Sequence, residues 1–234
     1  AFVAGLVRRG RIEQAGEQVI RMLFVPSVEQ GTLARRGNEL AEFVRKDSGL
    51  VIRSAVPTSY AAVVQALGVG QADIAWVPAF AYVVANARFG AEARLQVVRE
   101  AERYAVVVTR NGPGEPAKLG DLAGKRIASP QMGNTQDVAL RAYLAARGMR
   151  PVERGGTVRV VPTDNPQILD LFRLGQIDGA WVPEPWAARL VVEGGGRLFL
   201  DERELWPAGA FVTVHVIVRT RFLREHPDLV KAWL

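Results

Sequence analysis

The chain has 234 residues, no cysteine and a formal net charge of +6. Its hydrophobic content of 49 % and charged content of 23 % are typical of a folded globular protein and exclude a disordered chain. The lack of cysteine excludes disulfides, thiol catalysis and cysteine-ligated zinc. The basic balance favours anionic partners, but the arginines are scattered along the sequence, so we expect no nucleic-acid partner.

Both ends of the chain carry short apolar segments. No apolar run reaches the ~18 residues that a membrane-spanning helix needs. AFVAGLV at the N-terminus precedes Arg8 and Arg9, the reverse order of a secretory signal, which favours a trimmed chain or a helix start. HPDLVKAWL at the other end predicts the first turns of a helix, and we expect further chain after Leu234.

The first half predicts alternating strands and helices. MLFVP (22–26) and LVIRSAV (50–56) predict strands, and the segment between them predicts a helix that ends at Gly49. YAAVVQALGVG predicts a second helix, and ADIAWVP predicts a buried strand. The helix AFAYVVANARFG and the strands RLQVVRE and RYAVVVTR follow. The apolar face of the first helix consists of Leu33, Leu40, Phe43 and Val44.

The second half repeats this scheme. Residues 56–78 align without a gap on residues 161–183, and the repeated string GQADIAWVP returns as GQIDGAWVP. We expect Asp73 and Asp178, in these strings, to be turn or cap residues at the amino ends of their strands. The second copy ends in RLFLD and the alternating strand AFVTVHVIVRT. Two copies are too few, and their period too long, for a solenoid.

Two βαβαβ units predict an α/β fold of two lobes, each a mostly parallel sheet with flanking helices. We expect lobe one over residues 1–105, lobe two over 106–208, and a strand and helix crossing back at a hinge over 209–234. Ligands bind outside the carboxyl ends of parallel strands, so a ligand cleft is expected between the lobes. Helix N-termini would line this cleft and favour an anion.

Two stretches carry a resemblance to the solute-binding proteins of ABC importers, which have the two-lobed periplasmic-binding-protein-like fold of type II. The first half, with VPTSYAAVVQALGVGQADIAWVPAFAYVVANARFGAE, resembles the phosphonate/phosphite-binding branch. The second, with GNTQDVALR and IDGAWVPEPWA, resembles the aliphatic sulfonate/nitrate/taurine-binding branch. The resemblance implies a periplasmic or extracellular monomer, free or lipid-anchored, that delivers a small oxyanion to a membrane permease without a cofactor or metal.

Candidate ligand residues in lobe one follow its predicted strands. Ser27 either caps the next helix or donates its hydroxyl to a ligand. The resemblance implies that Tyr60 contacts the ligand through its phenol and that Tyr82 is a second donor, although Tyr82 has the spacing of a core residue. The full set is Ser27, Thr58, Ser59, Tyr60, Phe80 and Tyr82.

Candidate residues in lobe two follow the matching strands. Thr135 can cap its helix and present N–H and hydroxyl to an anion, and the resemblance implies a small hydroxyl residue there. Asn165 either donates to the ligand or caps a helix that begins at Pro166. Glu184 could share a proton with the ligand, bind an amine on it or pair with an arginine, and Trp186 could pack on an alkyl chain or in the core. The full set is Asn134, Thr135, Gln136, Asn165, Glu184 and Trp186.

Enzymatic activity is not predicted. The two histidines, His215 and His226, lie near no nucleophile in sequence, and phosphate-binding and nucleophile-elbow motifs do not occur. Two alternatives share the expected architecture. An effector-sensing domain of a transcription regulator would need a DNA-binding segment before residue 20. A thiamine-pyrimidine-synthase-like enzyme would need a reactive histidine in the cleft, and we expect neither histidine on a cleft loop.

Overall fold

The computed structural model describes residues 18–99, 105–209 and 211–234. The chain divides into two compact units, one comprising the residues up to Val97 together with Thr213–Leu234, the other Val98–Val212. AFVAGLV and the start of RYAVVVTR lie outside the described residues. The predicted α/β class is confirmed, because two five-stranded sheets each carry flanking helices.

The described strands and helices follow the predicted order. The strands are β1 (Ile20–Phe24), β2 (Ile52–Ala55), β3 (Ile74–Val77), β4 (Glu92–Arg99), β5 (Ala105–Thr109), β6 (Arg126–Ser129), β7 (Arg159–Pro162), β8 (Gly179–Pro183), β9 (Arg197–Asp201) and β10 (Phe211–Val218). The helices are α1 (Gln30–Ser48), α2 (Tyr60–Gly68), α3 (Ala79–Phe89), α4 (Thr135–Ala145), α5 (Asn165–Arg173), α6 (Trp186–Val192), α7 (Thr220–Glu225) and α8 (Pro227–Trp233).

The sheet of the first unit has the strand order β2-β1-β3-β10-β4. β1 is parallel to β2 and β3, whereas β10 is antiparallel to β3. Alternation along β3 sends Ala75 and Val77 to the face covered by α2 and α3, and sends Ile74 and Trp76 to the face that packs with Phe222 and Trp233. The apolar strands are thus covered on both sides, as expected for parallel strands.

The sheet of the second unit has the matching order β7-β6-β8-β5-β9. β6 is parallel to β7 and β8, and β5 is antiparallel to both β8 and β9. Phe172 and Leu190 pack on one face of this sheet. Trp181 and Leu144 pack on the other. In both units, therefore, three parallel strands from one copy of the repeat are joined by an antiparallel strand.

The aspartates of the two GQ-x-D strings lie at the amino ends of their strands, as predicted, but their role is larger than that of turn or cap residues. Asp73 accepts hydrogen bonds from the backbone N–H and Nε of Arg21, both at 3.0 Å, and from Nη2 of Arg219 at 2.9 Å. Asp178 accepts from the backbone N–H of Arg126 at 2.7 Å and from its Nε at 3.3 Å. Each aspartate therefore ties two parallel strands together.

The pKa of Asp73 depends on its burial and on its two arginine partners. Burial alone would raise its pKa, but the hydrogen bonds from Arg21 and Arg219 outweigh burial and hold the pKa below its ordinary value. A depressed carboxyl pKa stabilises the fold above the pKa of the unfolded chain, and this stabilisation is lost as the pH falls through the folded-state pKa.

The predicted end of α1 is confirmed, and its predicted apolar face is wrong at one residue. The helix ends at Gly49 in the left-handed conformation, with φ at 77°, as expected. The assignment of Phe43 to the apolar face is wrong, because its side chain is 68 % exposed. Leu40 and Val44 do pack against the core. Phe43 lies about 100° around the helix from Val44, which points it to solvent.

We expect Asp73→Asn to lower the free energy of unfolding at pH 7 by about 2–3 kcal/mol, because it removes the charge partner of two arginines. Asp178→Asn is the matched control in the second copy. Its loss should be smaller, since the Asp178 side chain is 16 % exposed against 3 % for Asp73. Urea unfolding at pH 7 and pH 4 measures both, and the Asp73→Asn deficit should shrink at pH 4. Equal losses in the two variants would contradict this account.

Candidate functional site

The candidate residues of the first unit all follow the carboxyl ends of β1, β2 and β3. Ser27 comes after β1, and the prediction that it caps α1 is wrong, because Glu29 does so by accepting hydrogen bonds from the N–H groups of Gly31 and Thr32 at 2.9 and 2.7 Å. Its role as a ligand donor stays a prediction. Glu29 was missed because glutamate is not a favoured N-cap residue.

The loop after β2 holds three candidates. Ser59 caps α2, with its hydroxyl accepting from the N–H of Ala62 at 3.1 Å, and Thr58 before it is exposed. Tyr60, the first residue of α2, is buried among Val63, Val64 and the other apolar side chains of the core under α2 and α3. The predicted helix start is therefore confirmed, and the ligand contact of Tyr60 stays a prediction.

The loop after β3 leads into α3, where Phe80 and Tyr82 are both half-buried. The Tyr82 ring stacks on the imidazole of His215, with ring centroids 4.7 Å apart and an interplanar angle of 28°. His215 pairs with Val77, the last residue of β3. His215 lies on a strand and not on a loop, as expected, but β10 runs antiparallel to β3 and so carries it to the carboxyl edge of the sheet.

Three candidate residues of the second unit lie at the start of α4. Asn134 is the N-cap, accepting hydrogen bonds at its Oδ1 from the N–H groups of Gln136 and Asp137 at 2.7 and 3.2 Å. Asn134, Gln136 and Asp137 are buried. The side chain of Asp137 accepts from the Ser129 hydroxyl at 2.9 Å and from Arg141 Nε at 3.1 Å. The acidic group beside the helix start is therefore neutralised within the unit.

Thr135 is the first residue of α4, so the prediction that it caps the helix is wrong and Asn134 has that role. The Thr135 Oγ1 atom is buried, and no hydrogen-bond partner for it occurs among the described residues. A buried hydroxyl without a partner costs about 1–3 kcal/mol, so a partner is expected in the functional state. This atom lies at the positive end of an 11-residue helix.

The loop after β7 leads into α5. Asp164 occupies the N-cap position and Asn165 is the first helical residue, so the predicted cap at Asn165 is wrong by one position. The Asp164 side chain accepts from Gln131 Nε2 at 2.7 Å, which links the loops after β6 and β7. Asn165 is buried at the same edge, and its contact with a ligand stays a prediction.

The loop after β8 holds Glu184 and Trp186. Glu184 Oε2 accepts a hydrogen bond from the N–H of Ala188 at 3.0 Å, so the carboxylate stabilises the first turn of α6. The guanidinium of Arg189 lies 4.9 Å from the ring centroid of Trp186. The indole N–H of Trp186 is buried and has no acceptor within the described part of the chain. Ligand contacts of both side chains stay predictions.

A buried carboxyl that sequence reasoning missed lies at the same edge. Glu202 follows Asp201, which pairs with Val106 in β5, and Val106 in turn pairs with Val182 near the end of β8. Glu202 accepts hydrogen bonds from the indole N–H of Trp181 at 3.0 Å and of Trp206 at 3.4 Å. Burial raises the pKa of Glu202 despite these hydrogen bonds.

The described residues contain neither a metal-binding cluster nor a membrane-spanning helix. Among residues 18–99, 105–209 and 211–234, no group of three His, Asp or Glu side chains is placed to hold a metal ion. Every helix in the same ranges is too short or too polar to cross a membrane.

We expect Glu202→Gln to become stabilising, relative to the parent chain, as the pH rises. The raised pKa means that the carboxyl stabilises the fold below its unfolded pKa and loses this contribution as the pH rises through the folded-state pKa. Glutamine keeps the acceptor for Trp181 and cannot ionise. Melting temperatures at pH 4.5 and pH 8.5 test this, with Glu204→Gln in the same turn as the exposed control. A difference between Glu202→Gln and parent that is independent of pH would overturn it.

The sequence is similar over nearly its whole length to a known periplasmic protein. The taurine-binding periplasmic protein of Escherichia coli K12 is 29 % identical over 222 residues, which cover 94 % of this chain and 64 % of the relative. The chain therefore spans less than two thirds of the length of that protein. The prediction that the sequence resembles periplasmic solute-binding proteins is confirmed.

Solved structures show the same fold at low sequence identity. PhnD1 from Prochlorococcus marinus, in complex with methylphosphonate, superposes with a TM-score of 0.69 at 15 % identity, covering 93 % of this chain and 83 % of that one. The aliphatic sulphonate binding protein SsuA from Escherichia coli gives 0.65 at 17 % identity, covering 92 % and 69 %. The predicted periplasmic-binding-protein-like fold is thereby confirmed. Residues 24–234 match the NMT1-like family, and the chain belongs to that family.

Proposed function

We propose that this chain is the solute-binding protein of an ABC importer, that it captures a small oxyanion such as an aliphatic sulfonate or phosphonate, and that it delivers this solute to a membrane permease. The named relative binds taurine, and the superposed structures are a phosphonate-binding and a sulphonate-binding protein. These names support the class of solute. The chemistry of the carboxyl edges supports it independently.

The observation that carries the proposal is the buried Oγ1 of Thr135, without a partner among the described residues, at the start of α4. An oxyanion oxygen would accept from this hydroxyl in the positive field of the helix N-terminus. Asn134 already accepts hydrogen bonds from the N–H groups of Gln136 and Asp137, which keeps the helix start rigid. The ligand would therefore meet a donor that is already in place.

Recognition would rest on neutral donors and helix dipoles rather than on an arginine at the start of α4. Arg141, the cation near Thr135, is bonded to Asp137 and to Glu153. The candidate donors are the hydroxyl, phenol and amide groups that follow the strands. A neutral donor set binds a sulfonate or phosphonate without an ion pair whose desolvation would have to be offset. Ligand contacts are proposed for Ser27, Thr58, Ser59, Tyr60, Phe80, Tyr82, Asn134, Thr135, Gln136, Asn165, Glu184 and Trp186.

An organic tail on the anion is favoured by Trp186. Its indole is half-buried at the start of α6, under the guanidinium of Arg189. An aromatic face of this kind would cover the carbon atoms of a short alkyl chain. If the solute carries an amine on its tail, Glu184 would face that amine. Bare nitrate would use neither side chain.

We further propose a periplasmic or extracellular monomer, free or lipid-anchored, as the resemblance implies. The position of the histidines does not argue against the alternative of a thiamine-pyrimidine-synthase-like enzyme, since His215 lies at the carboxyl edge. What argues against catalysis is that the named relative and the superposed structures are binding proteins.

The test is a thermal-shift panel with methylphosphonate, phosphite, phosphate, ethanesulfonate, taurine, sulfate and nitrate. A ligand at 100 times its Kd adds about 2.7 kcal/mol to stability, which for a chain of this size raises Tm by about 5–10 °C. We expect one sulfonate or phosphonate to give this shift. At 10 mM, a ligand with a Kd near 100 μM would add about 2.7 kcal/mol to the stability of the fold, so the oxyanion proposal fails if none of the seven anions moves Tm at this concentration.

Thr135→Val should weaken binding of the anion found in the panel about 10- to 100-fold, since it removes one hydrogen bond to a charged acceptor. Tyr60→Phe should also reduce affinity if its phenol contacts the ligand. Thr157→Val is the matched control, because Thr157 is exposed and precedes β7 at the opposite edge of the sheet. Calorimetric titration gives the Kd values. An unchanged Kd in Thr135→Val would remove this residue from the site.

A further inference from the structure

We propose that the imidazole of His215, stacked on Tyr82, contacts the bound solute and takes up a proton when the anion binds. The inference rests on the proposed function, because it assumes an oxyanion at the carboxyl edge of the first unit. It assigns a ligand role to a strand residue outside the loops and helix starts that carry the other candidates.

The position of His215 follows from the register of β10. His215 pairs with Val77, and Ile217 pairs with Ala75, so the two β10 side chains lie on one face of the sheet. Ile217 is buried in the core with Val77 and Ala85. His215 is therefore one step beyond that core, toward the edge where β3 gives way to α3.

Thr213, His215 and Ile217 follow one another on the same face of β10. Of the two polar side chains among them, Thr213 has a hydrogen-bond partner, whereas the Nδ1 atom of His215 has none among the described residues. Thr213, the next residue on the same face, donates its hydroxyl to the Val97 carbonyl at 3.2 Å. His215 is 8 % exposed, and its Nδ1 is buried without a hydrogen-bond partner among the described residues. Because a buried nitrogen without a partner is costly, an oxygen of the solute is a natural partner for the ring.

The stacked Tyr82 ring fixes the plane of the imidazole and is suited to its charged form. The two centroids are 4.7 Å apart. A cation against the face of a phenol ring gains about 0.5–2 kcal/mol from the ring quadrupole. Tyr82 is itself held at the first turn of α3, where its N–H donates to the Pro78 carbonyl at 3.1 Å. The pair is therefore built from two rigid elements.

The charged groups around His215 leave room for an anion. Among side chains that the structure describes, β3 has no titratable group, α3 has Tyr82 and, in its last turn, Arg88, and α2 begins with Tyr60. In β4, Ala93 packs on the same core, so Glu92 and Arg94 point to the other face and lie 3.8 Å apart. Burial lowers the pKa of His215.

These surroundings determine whether the affinity for the anion rises or falls with pH. The imidazole is neutral in the free protein at pH 7, and a bound anion supplies the negative charge that its surroundings lack, which raises its pKa. Affinity should therefore increase as the pH falls between the bound-state and free-state pKa values. Below the free-state pKa the ring is already charged, and affinity becomes constant. A neutral solute would not show this dependence.

The experiment follows both imidazoles by NMR in the intact chain, which has only two histidines. The probe is whichever of ethanesulfonate and methylphosphonate stabilises the chain more in the thermal-shift panel. Long-range ¹H–¹⁵N spectra recorded from pH 5 to pH 8.5, with and without saturating probe, give the pKa of each ring. We expect the pKa of His215 to rise on binding and the His226 resonances to be unaffected by the probe.

Two variants separate contact from packing. His215→Gln should weaken probe binding about tenfold and remove the proton uptake, measured by calorimetry in two buffers of different ionisation enthalpy. His226→Gln is the matched control and should leave both unchanged. A His215 pKa that is the same with and without bound probe would overturn the inference and leave the proposed function intact. If none of the seven anions of the panel binds the parent chain, the proposed function fails at its own test and this inference fails with it; if another of the seven binds, that anion replaces the probe.

Discussion

A carboxylate that lies between two parallel strands is stabilised there by hydrogen bonds from a cation, and both halves of this chain use this pairing in the same way. Asp73 and Asp178 each accept from the backbone N–H and the guanidinium of an arginine 52 residues earlier. The residue that follows the antiparallel strand also donates its backbone N–H to the carbonyl of the same aspartate, from Arg219 at 2.9 Å and from Arg110 at 3.0 Å. The pairing thus fixes β1 against β3 and β6 against β8, and it anchors β10 and β5 beside them.

The amino edges carry these ion pairs, and the carboxyl edges are left to the loops and helix starts. That division explains why the two repeated GQ-x-D strings lie at the opposite edge from the candidate ligand residues. At the carboxyl edge, Ser59 and Asn134 cap helices, and the Thr135 Oγ1 atom is without a partner in the described chain. Fixed helix starts beside a donor that lacks a partner are the arrangement expected of a site that binds an anion without reorganising.

Much of this could be predicted because it depends on local pattern. The strand and helix order, the end of α1 at Gly49 and the position of Asp73 follow from apolar periodicity and turn residues. The caps were predicted less well, since Glu29 and Asn134 replaced Ser27 and Thr135, and neighbouring polar residues compete for the same N–H groups. The contacts of β10 could not be predicted from the local sequence pattern. Only the antiparallel pairing with β3 shows that His215 reaches the carboxyl edge and that Arg219 reaches Asp73.

The central claim is that an oxyanion binds at the carboxyl edge of a sheet, where the loops lead into helix starts. Backbone amide NMR of the ¹⁵N-labelled chain, titrated with the anion that stabilises it most, tests this most directly. The account predicts that the largest shift changes fall at the starts of α2 and α3 in the first unit and of α4, α5 and α6 in the second. Shift changes centred on the turns that hold Asp73 and Asp178, at the amino edges, would contradict it.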